Sequence, residues 1–145
     1  MIREDIDLLF KDLCARLPYG VMCQVDDGAA GLNDGKLVEI NISEELVRFD
    51  ADYCWDAYID DVKPYLRPMS SMTDKELTTF LEIRGMNINS EELKTFREGQ
   101  TAIVSTLPSY SRHIDWLNAH HFDYRGLIEK GLALEAPEGM YKKGE

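Results

Sequence analysis

The sequence predicts an α+β fold, in which an N-terminal amphipathic helix lies on a small antiparallel β-sheet and a mostly helical second half follows. Three patterns support this fold class. Apolar residues recur at helical spacing over residues 2–16, alternate with polar residues over 20–49, and return to helical spacing after residue 51. No long linker interrupts the 145 residues, so we expect a single globular domain over 1–145.

The first fifty residues predict one helix and three strands. The apolar face of the helix consists of Ile6, Leu9, Phe10, Leu13 and Leu17. Pro18-Tyr19-Gly20 should end the helix. Alternating apolar residues then predict strands over 20–25, 38–42 and 46–49, with the Gly-rich and Asp-rich segment DDGAAGLNDG joining the first two. Together these strands form an antiparallel meander.

Residues 51–62 predict a second amphipathic helix. Its apolar positions are Ala51, Trp55, Tyr58, Ile59 and Val62. Asp52, Asp56 and Asp60 follow each other at intervals of four and would line the opposite face, where a solvated acidic surface is the simplest interpretation. The prolines Pro64 and Pro68 then predict an extended or turned connector.

Further helices are predicted towards the C-terminus. Thr73 and Glu76 form a capping box, which predicts a helix over 74–84. Ser90 is placed to cap a short helix that ends near Gly99, and a third helix carries His113 through His121. Residues 132–134 predict a final short strand.

Charge and cysteine content exclude several classes of protein. The formal net charge is −11 and the isoelectric point is near 4.7, so the chain should repel phosphate backbones and not bind nucleic acid directly. Three cysteines without a CxxC motif indicate reduced thiols rather than a disulfide framework. The acidic N-terminus and the lack of a long apolar run predict no membrane span and a cytoplasmic location in a bacterial host cell.

The histidines offer the strongest catalytic alternative. His113, His120 and His121, with Asp115 or Asp123, could supply ligands for a small metal-dependent hydrolase. However, residues seven apart on a helix lie about 10 Å apart along its axis, too far to share one ion. No HExxH, GxSxG, phosphate-binding glycine loop or GxGxxG motif is present. We therefore predict no metal site and no cofactor.

Planar and partly cationic residues in turn-like segments predict a binding surface instead. Residues of these types dominate the energetic centres of protein interfaces. The predicted surface consists of Tyr65, Arg67, His120, His121, Asp123, Tyr124 and Arg125.

Two of these segments resemble a known group of proteins. VKPYLRPMSSMT (62–73) and DWLNAHHFDYRGLIEKGLALEAPEGMY (115–141) are similar to a family of small uncharacterised proteins encoded by phages and mobile elements of gut anaerobic bacteria. Together the two segments cover between a quarter and a third of the chain. The resemblance implies a phage or mobile-element setting and assigns no catalytic residue.

These observations favour a non-catalytic accessory or protein-interaction protein that binds an unidentified protein partner. Two alternatives remain at this point: the metal-dependent hydrolase, and an acidic inhibitor that imitates the charge of DNA. The DNA imitator would need its acidic residues spread along one elongated face. The sequence does not set the oligomeric state.

Overall fold

The structure, a computed structural model, describes residues 1–50, 54–83, 91, 93 and 111–141. Contacts within the chain divide it into two compact units. Unit 1 comprises residues 1–66 and 125–135, and unit 2 comprises residues 67–124 and 136–145. The expectation of a single domain over 1–145 stays a prediction.

Unit 1 begins with helix α1 (Arg3–Arg16), which confirms the predicted leading helix. Four of its five predicted apolar residues are buried, and the fifth, Leu17, packs partly buried against the same core. Gly20 ends this region in the left-handed conformation, with φ of 69°. A residue with a Cβ would be strained there and would also meet the Lys36 side chain, whose Cε lies 2.8 Å from the ideal Cβ position.

The sheet of unit 1 has six strands. They are β1 (Met22–Asp26), β2 (Leu32–Asn41), β3 (Leu46–Asp50), β4 (Cys54–Tyr58), β5 (Val62–Leu66) and β6 (Leu134–Glu135). Their spatial order is β4-β3-β2-β1-β5-β6. The β5–β6 pair is parallel and the other four pairs are antiparallel. The buried face of the sheet shares one hydrophobic core with α1.

A β-bulge at Val38 decides which residues of β2 face the core. Leu37 pairs with Phe49, whereas Glu39 pairs with Arg48, so Val38 is the extra residue. Leu37 and Ile40 therefore both face the core although they are three residues apart. Val38 and Ile42 are exposed, although simple alternation groups them with Ile40.

The helix predicted over 51–62 is wrong for the described part of that segment. Residues 54–58 form β4, residues 59–61 form a 3-10 turn, and residues 62–66 form β5. Aspartates four apart are compatible with a helix, but an interval of four is also a multiple of the two-residue strand period. Asp56 lies on β4 and binds Arg48 of β3, Asp60 lies in the 3-10 turn, and Asp52 lies outside the described residues.

The predicted fold class is also wrong, although both helices and strands are present. The sheet is six-stranded and mixed, not a small antiparallel meander, because β4, β5 and β6 join the three predicted strands. The second half is not mostly helical. In its described residues α2 (Asp74–Ile83) and α3 (Ser111–Ala119) are followed by turns and β6. Strand β6 (134–135) pairs with β5, a segment that is far away in the sequence.

Unit 2 contains α2 and α3 around a second hydrophobic core. The buried residues of this core are Met72, Leu77, Phe80, Leu81, Leu117 and Phe122. The predicted capping box is confirmed. The Glu76 N–H donates to Thr73 Oγ1 at 3.1 Å, and the Thr73 N–H donates to Glu76 Oε1 at 3.0 Å. Of the short helix predicted after Ser90, only residues 91 and 93 are described, and both are helical.

Removing a side chain from the α1–sheet core should destabilise unit 1. Leu13 is fully buried, so Leu13→Ala should lower the free energy of unfolding by about 3 kcal/mol through lost burial and a residual cavity. Leu32 is 63% exposed, and Leu32→Ala should change it by about 0.5 kcal/mol or less. Urea denaturation followed by circular dichroism measures both. Equal losses would show that Leu13 is not a core residue.

Candidate functional site

Arg67, one of the residues of the predicted binding surface, is buried within unit 2 and paired with Glu76. The residue is 4% exposed, and its side chain binds Glu76 through two hydrogen bonds, from Nη1 at 2.7 Å and from Nη2 at 2.6 Å. Its guanidinium carbon lies 4.2 Å from the centre of the Phe122 ring. A buried arginine needs this neutralisation because removing an ion from water is costly.

The backbone of Arg67 fixes the segment that follows α3. The Arg67 N–H donates to the carbonyl of His121, and the Asp123 N–H donates to the carbonyl of Arg67, each at 2.8 Å. These bonds flank a parallel bridge between Arg67 and Phe122. Within unit 2, residues of the segments 62–73 and 115–141 therefore pair with each other.

His121 ends α3 in a left-handed conformation, with φ of 61°. The His121 N–H donates to the carbonyl of Asn118, and the Phe122 N–H donates to the carbonyl of Leu117. This is the Schellman arrangement, in which glycine usually occupies the left-handed position. The His121 ring is buried and stacks on Tyr141 with ring centres 4.0 Å apart.

The other two histidines pack against aromatic rings. His120 stacks on Trp116 at 4.3 Å between ring centres, and its Nδ1 lies 2.9 Å from the Trp116 carbonyl oxygen. This contact fits an Nδ1–H donor. His113 is buried edge-on against Phe80, with ring centres 5.8 Å apart. Within the described residues no three His, Cys, Asp or Glu side chains are arranged to hold a metal ion.

Tyr65 and Arg125 belong to separate networks in unit 1. The Tyr65 hydroxyl donates to Asp34 at 2.7 Å and accepts from Gln24 at 3.3 Å. Burial and the hydrogen bond to Asp34 raise the pKa of Tyr65 above its ordinary value. Arg125 binds the fully buried carboxylate of Asp12 at 2.7 Å, and Arg16 binds the same carboxylate at 2.8 Å.

Cys14 and Cys23, the two cysteines whose side chains the structure describes, are not activated nucleophiles. Cys23 is fully buried, and its pKa is raised first by burial and then by the negative charges of Asp12 and Asp34. Cys14 is exposed, and partial burial of its thiol raises its pKa as well. A raised pKa lowers the thiolate fraction at neutral pH, and the thiolate is the reactive form.

The seven residues predicted as one binding surface therefore divide between the two units. Unit 2 brings Arg67, His121 and Asp123 together through backbone hydrogen bonds. Tyr124 lies next to them and donates from its hydroxyl to Asn118 at 2.9 Å, while His120 lies on Trp116. These are packing and positioning contacts.

Unit 1 carries a surface that the sequence did not indicate. Three large apolar side chains, Ile2, Ile42 and Tyr58, are 62%, 63% and 63% exposed. We call these three residues the hairpin patch, because two of them flank the end of the β2–β3 hairpin. They lie on three different segments: the start of α1, the β2–β3 turn and the end of β4.

Glu45 joins the three segments of the hairpin patch. Its side chain accepts a hydrogen bond from Arg3 of α1, its carbonyl accepts from the Ile59 N–H at 3.0 Å, and its own N–H donates to the Ile42 carbonyl at 3.3 Å. Glu45 has φ of 56°, a left-handed conformation that costs a residue with a Cβ roughly 1–2 kcal/mol. Glycine would relieve this strain, but it has no side chain to accept the hydrogen bond from Arg3.

The same three segments are strongly acidic. Residues 1–7, 42–45 and 58–61 contain Glu4, Asp5, Asp7, Glu44, Glu45, Asp60 and Asp61. Arg3 is their one arginine or lysine, and it binds Asp7 and Glu45. Seven carboxylates against one guanidinium give these segments a formal charge of −6, more than half of the −11 of the whole chain.

Sequence reasoning missed this surface because it assigned Ile42 and Tyr58 to buried faces. If residues 55–59 are treated as a strand, two-residue alternation places Trp55, Ala57 and Ile59 on one face and Tyr58 on the other. The pairing of Val47 with Ala57, both turned towards the core, agrees with that reading. Two-residue alternation was therefore the available signal for the exposure of Tyr58.

Comparison with protein-family models, curated proteins and solved structures gave no match to this chain. Among the described residues, no helix combines the length and apolar character needed to cross a membrane.

The Arg67–Glu76 pair should be worth far more to stability than an exposed pair. Glu76→Gln should lower the free energy of unfolding by about 3–5 kcal/mol, because it leaves a buried guanidinium without its carboxylate. The matched control, Asp56→Asn, removes an exposed partner of Arg48 and should cost about 1 kcal/mol or less. Denaturant titration of the two variants gives the comparison, and similar losses would contradict the anchoring role of Glu76.

Because His121 has a left-handed backbone, a glycine variant should be more stable than an alanine variant at this position. Within a helix the order of stability is usually the opposite. Both His121→Ala and His121→Gly remove the stacked ring, but only glycine relieves the backbone, so the Gly variant should be more stable by about 1 kcal/mol. At Asp115, exposed within α3, the Ala variant should instead be more stable by about 1 kcal/mol. Thermal unfolding of the four variants tests this reversal. The same order at both positions would be inconsistent with it.

Proposed function

We propose that this protein is a non-catalytic interaction protein and that the hairpin patch is its docking surface. The observation that carries the proposal is the exposure of Ile2, Ile42 and Tyr58 on three segments that Glu45 holds together. The proposed setting is the cytoplasm of a bacterial host of a phage or mobile element. The resemblance of residues 62–73 and 115–141 supports that setting.

Exposed apolar side chains on adjoining segments are a common feature of protein interfaces. Single exposed apolar residues are ordinary, but apolar side chains grouped together on a surface with a polar rim mark binding sites. Tyrosine is enriched among the residues that dominate binding energy. Burying each of the three side chains would contribute roughly 1.5–3 kcal/mol before the cost of association is subtracted.

The contacts of the other candidate residues support a structural role for them. Arg67 neutralises Glu76 inside unit 2, and Arg125 binds Asp12 inside unit 1. Arg67 cannot leave Glu76 without leaving an uncompensated charge in the interior of unit 2. Arg125 shares the buried carboxylate of Asp12 with Arg16. We therefore move the proposed binding surface from those residues to the hairpin patch.

Capture from host lysate tests the proposal. Tagged wild-type protein and the double variant Ile42→Asp/Tyr58→Asp are used to capture partners at moderate salt, and the captured proteins are quantified by mass spectrometry. A stoichiometric partner should be reduced about tenfold or more in the double variant, equivalent to about 1.4 kcal/mol of binding free energy.

Leu32→Asp is the matched control, since Leu32 is 63% exposed, as Ile42 and Tyr58 are. It lies at the other end of β2 from Ile42, about 30 Å away by strand rise. This control should retain the partner. Equal capture by all three proteins would show that the hairpin patch is not the docking surface.

A further inference from the structure

We infer that the occupant of the hairpin patch is a lysine-rich and arginine-rich amphipathic segment of a partner protein. This inference rests on the proposed function, because it specifies the partner of the same surface. The exposed apolar side chains require an apolar face on the partner, and the acidic segments around them require a cationic flank.

The carboxylates around the patch are not neutralised by the described part of the chain. Arg3 binds Asp7 and Glu45. No ion pair to Glu4, Asp5, Glu44, Asp60 or Asp61 occurs among the described residues. Four of these five residues are exposed, and Asp5 is half-buried. They are therefore available to cations from another molecule.

Another acidic part of unit 1 differs in this respect. Arg48 of β3 binds both Glu39 of β2 and Asp56 of β4, so the carboxylates there have a cationic partner within the chain. The uncompensated charge and the exposed apolar residues thus coincide on the segments that Glu45 joins. Asp26 and Asp27, near the exposed Leu32, also lack an ion pair among the described residues, but that site presents one large exposed apolar side chain where the hairpin patch presents three.

The charge also argues against other occupants. In a dimer formed through this patch, the three acidic segments of one copy, with a formal charge of −6, would face the same segments of the other copy. Like charges that face each other across an interface are costly. A nucleic-acid backbone or an anionic lipid surface would be repelled for the same reason. An amphipathic segment with basic residues beside its apolar face satisfies both features at once.

The probe for the test is a synthetic helical peptide of leucine and lysine, with leucines on one face. Its control replaces every lysine with glutamate. Binding of each labelled peptide to the full-length protein is measured by fluorescence anisotropy. We expect the lysine peptide to bind and the glutamate peptide not to bind. Raising NaCl from about 0.05 M to about 0.5 M should weaken binding, because exposed charges are then screened.

Two charge-reversed proteins locate the interaction. Glu44→Lys/Asp60→Lys/Asp61→Lys reverses exposed acids beside the patch, and Asp27→Lys/Glu129→Lys/Glu135→Lys reverses exposed acids on other segments of unit 1. The first triple variant should lose about tenfold or more in affinity, and the second about threefold or less. Equal losses would show that the peptide responds only to net charge, and would overturn the inference.

The apolar contribution has its own control. Ile42→Ser/Tyr58→Ser should weaken binding about tenfold, whereas Leu32→Ser should leave it nearly unchanged. Equal affinities of these two proteins would overturn the inference, and so would absence of lysine-peptide binding. Sedimentation equilibrium tests whether a second copy of the chain occupies the patch instead. If the wild type is a dimer and Ile42→Ser/Tyr58→Ser is a monomer, the patch binds a second copy and the inference is overturned.

The outcomes separate the inference from the function that it specifies. If lysate capture depends on Ile42 and Tyr58 but the lysine peptide does not bind, the docking surface stands and its cationic occupant is refuted. If the peptide binds at the patch but lysate capture is insensitive to Ile42 and Tyr58, the docking function fails while the surface chemistry holds.

Discussion

The neutralisation of buried guanidinium groups is the constraint on which each unit depends. In unit 1 the carboxylate of Asp12 receives hydrogen bonds from both Arg16 and Arg125, which brings residues from the two ends of that unit together. In unit 2 the carboxylate of Glu76 binds Arg67 while it also caps α2. A guanidinium cannot be deprotonated under ordinary conditions, so each buried arginine requires a carboxylate in a fixed position.

This constraint also organises the surface chemistry. Arg67 and Arg125 are each engaged by a buried carboxylate of their own unit. The acids on the three segments around the hairpin patch are in excess over Arg3. Because the buried charges of the described residues are paired within each unit, the unpaired charges lie on the surface. Those surface charges favour partners of opposite charge and disfavour partners of the same charge.

The parts of the fold that depend on local signals could be predicted from the sequence. Helix α1 follows from apolar spacing, and the start of α2 follows from Thr73 and Glu76, which contact each other over three residues. The parts that depend on distant pairing could not. The parallel pairing of Tyr65 with Leu134 and the bond between Asp12 and Arg125 leave no periodic trace in the chain. For the candidate site, residue chemistry identified Arg67 and Arg125 as special, but their structural roles follow only from the burial of Arg67 and from the bond of Arg125 to the buried Asp12.

The bulge at Val38 affects how unit 1 can change in length during evolution. Leu37 and Ile40 face the same core although an odd number of steps separates them, and the extra residue accounts for this. Loss of Val38 alone would leave these two residues two apart, which restores regular alternation and keeps both on the core face. A one-residue loss from the uninterrupted strand β3 would instead exchange its two faces beyond that point. Strand β2 therefore contains a position where a deletion can be accommodated, and it lies four residues before the exposed Ile42.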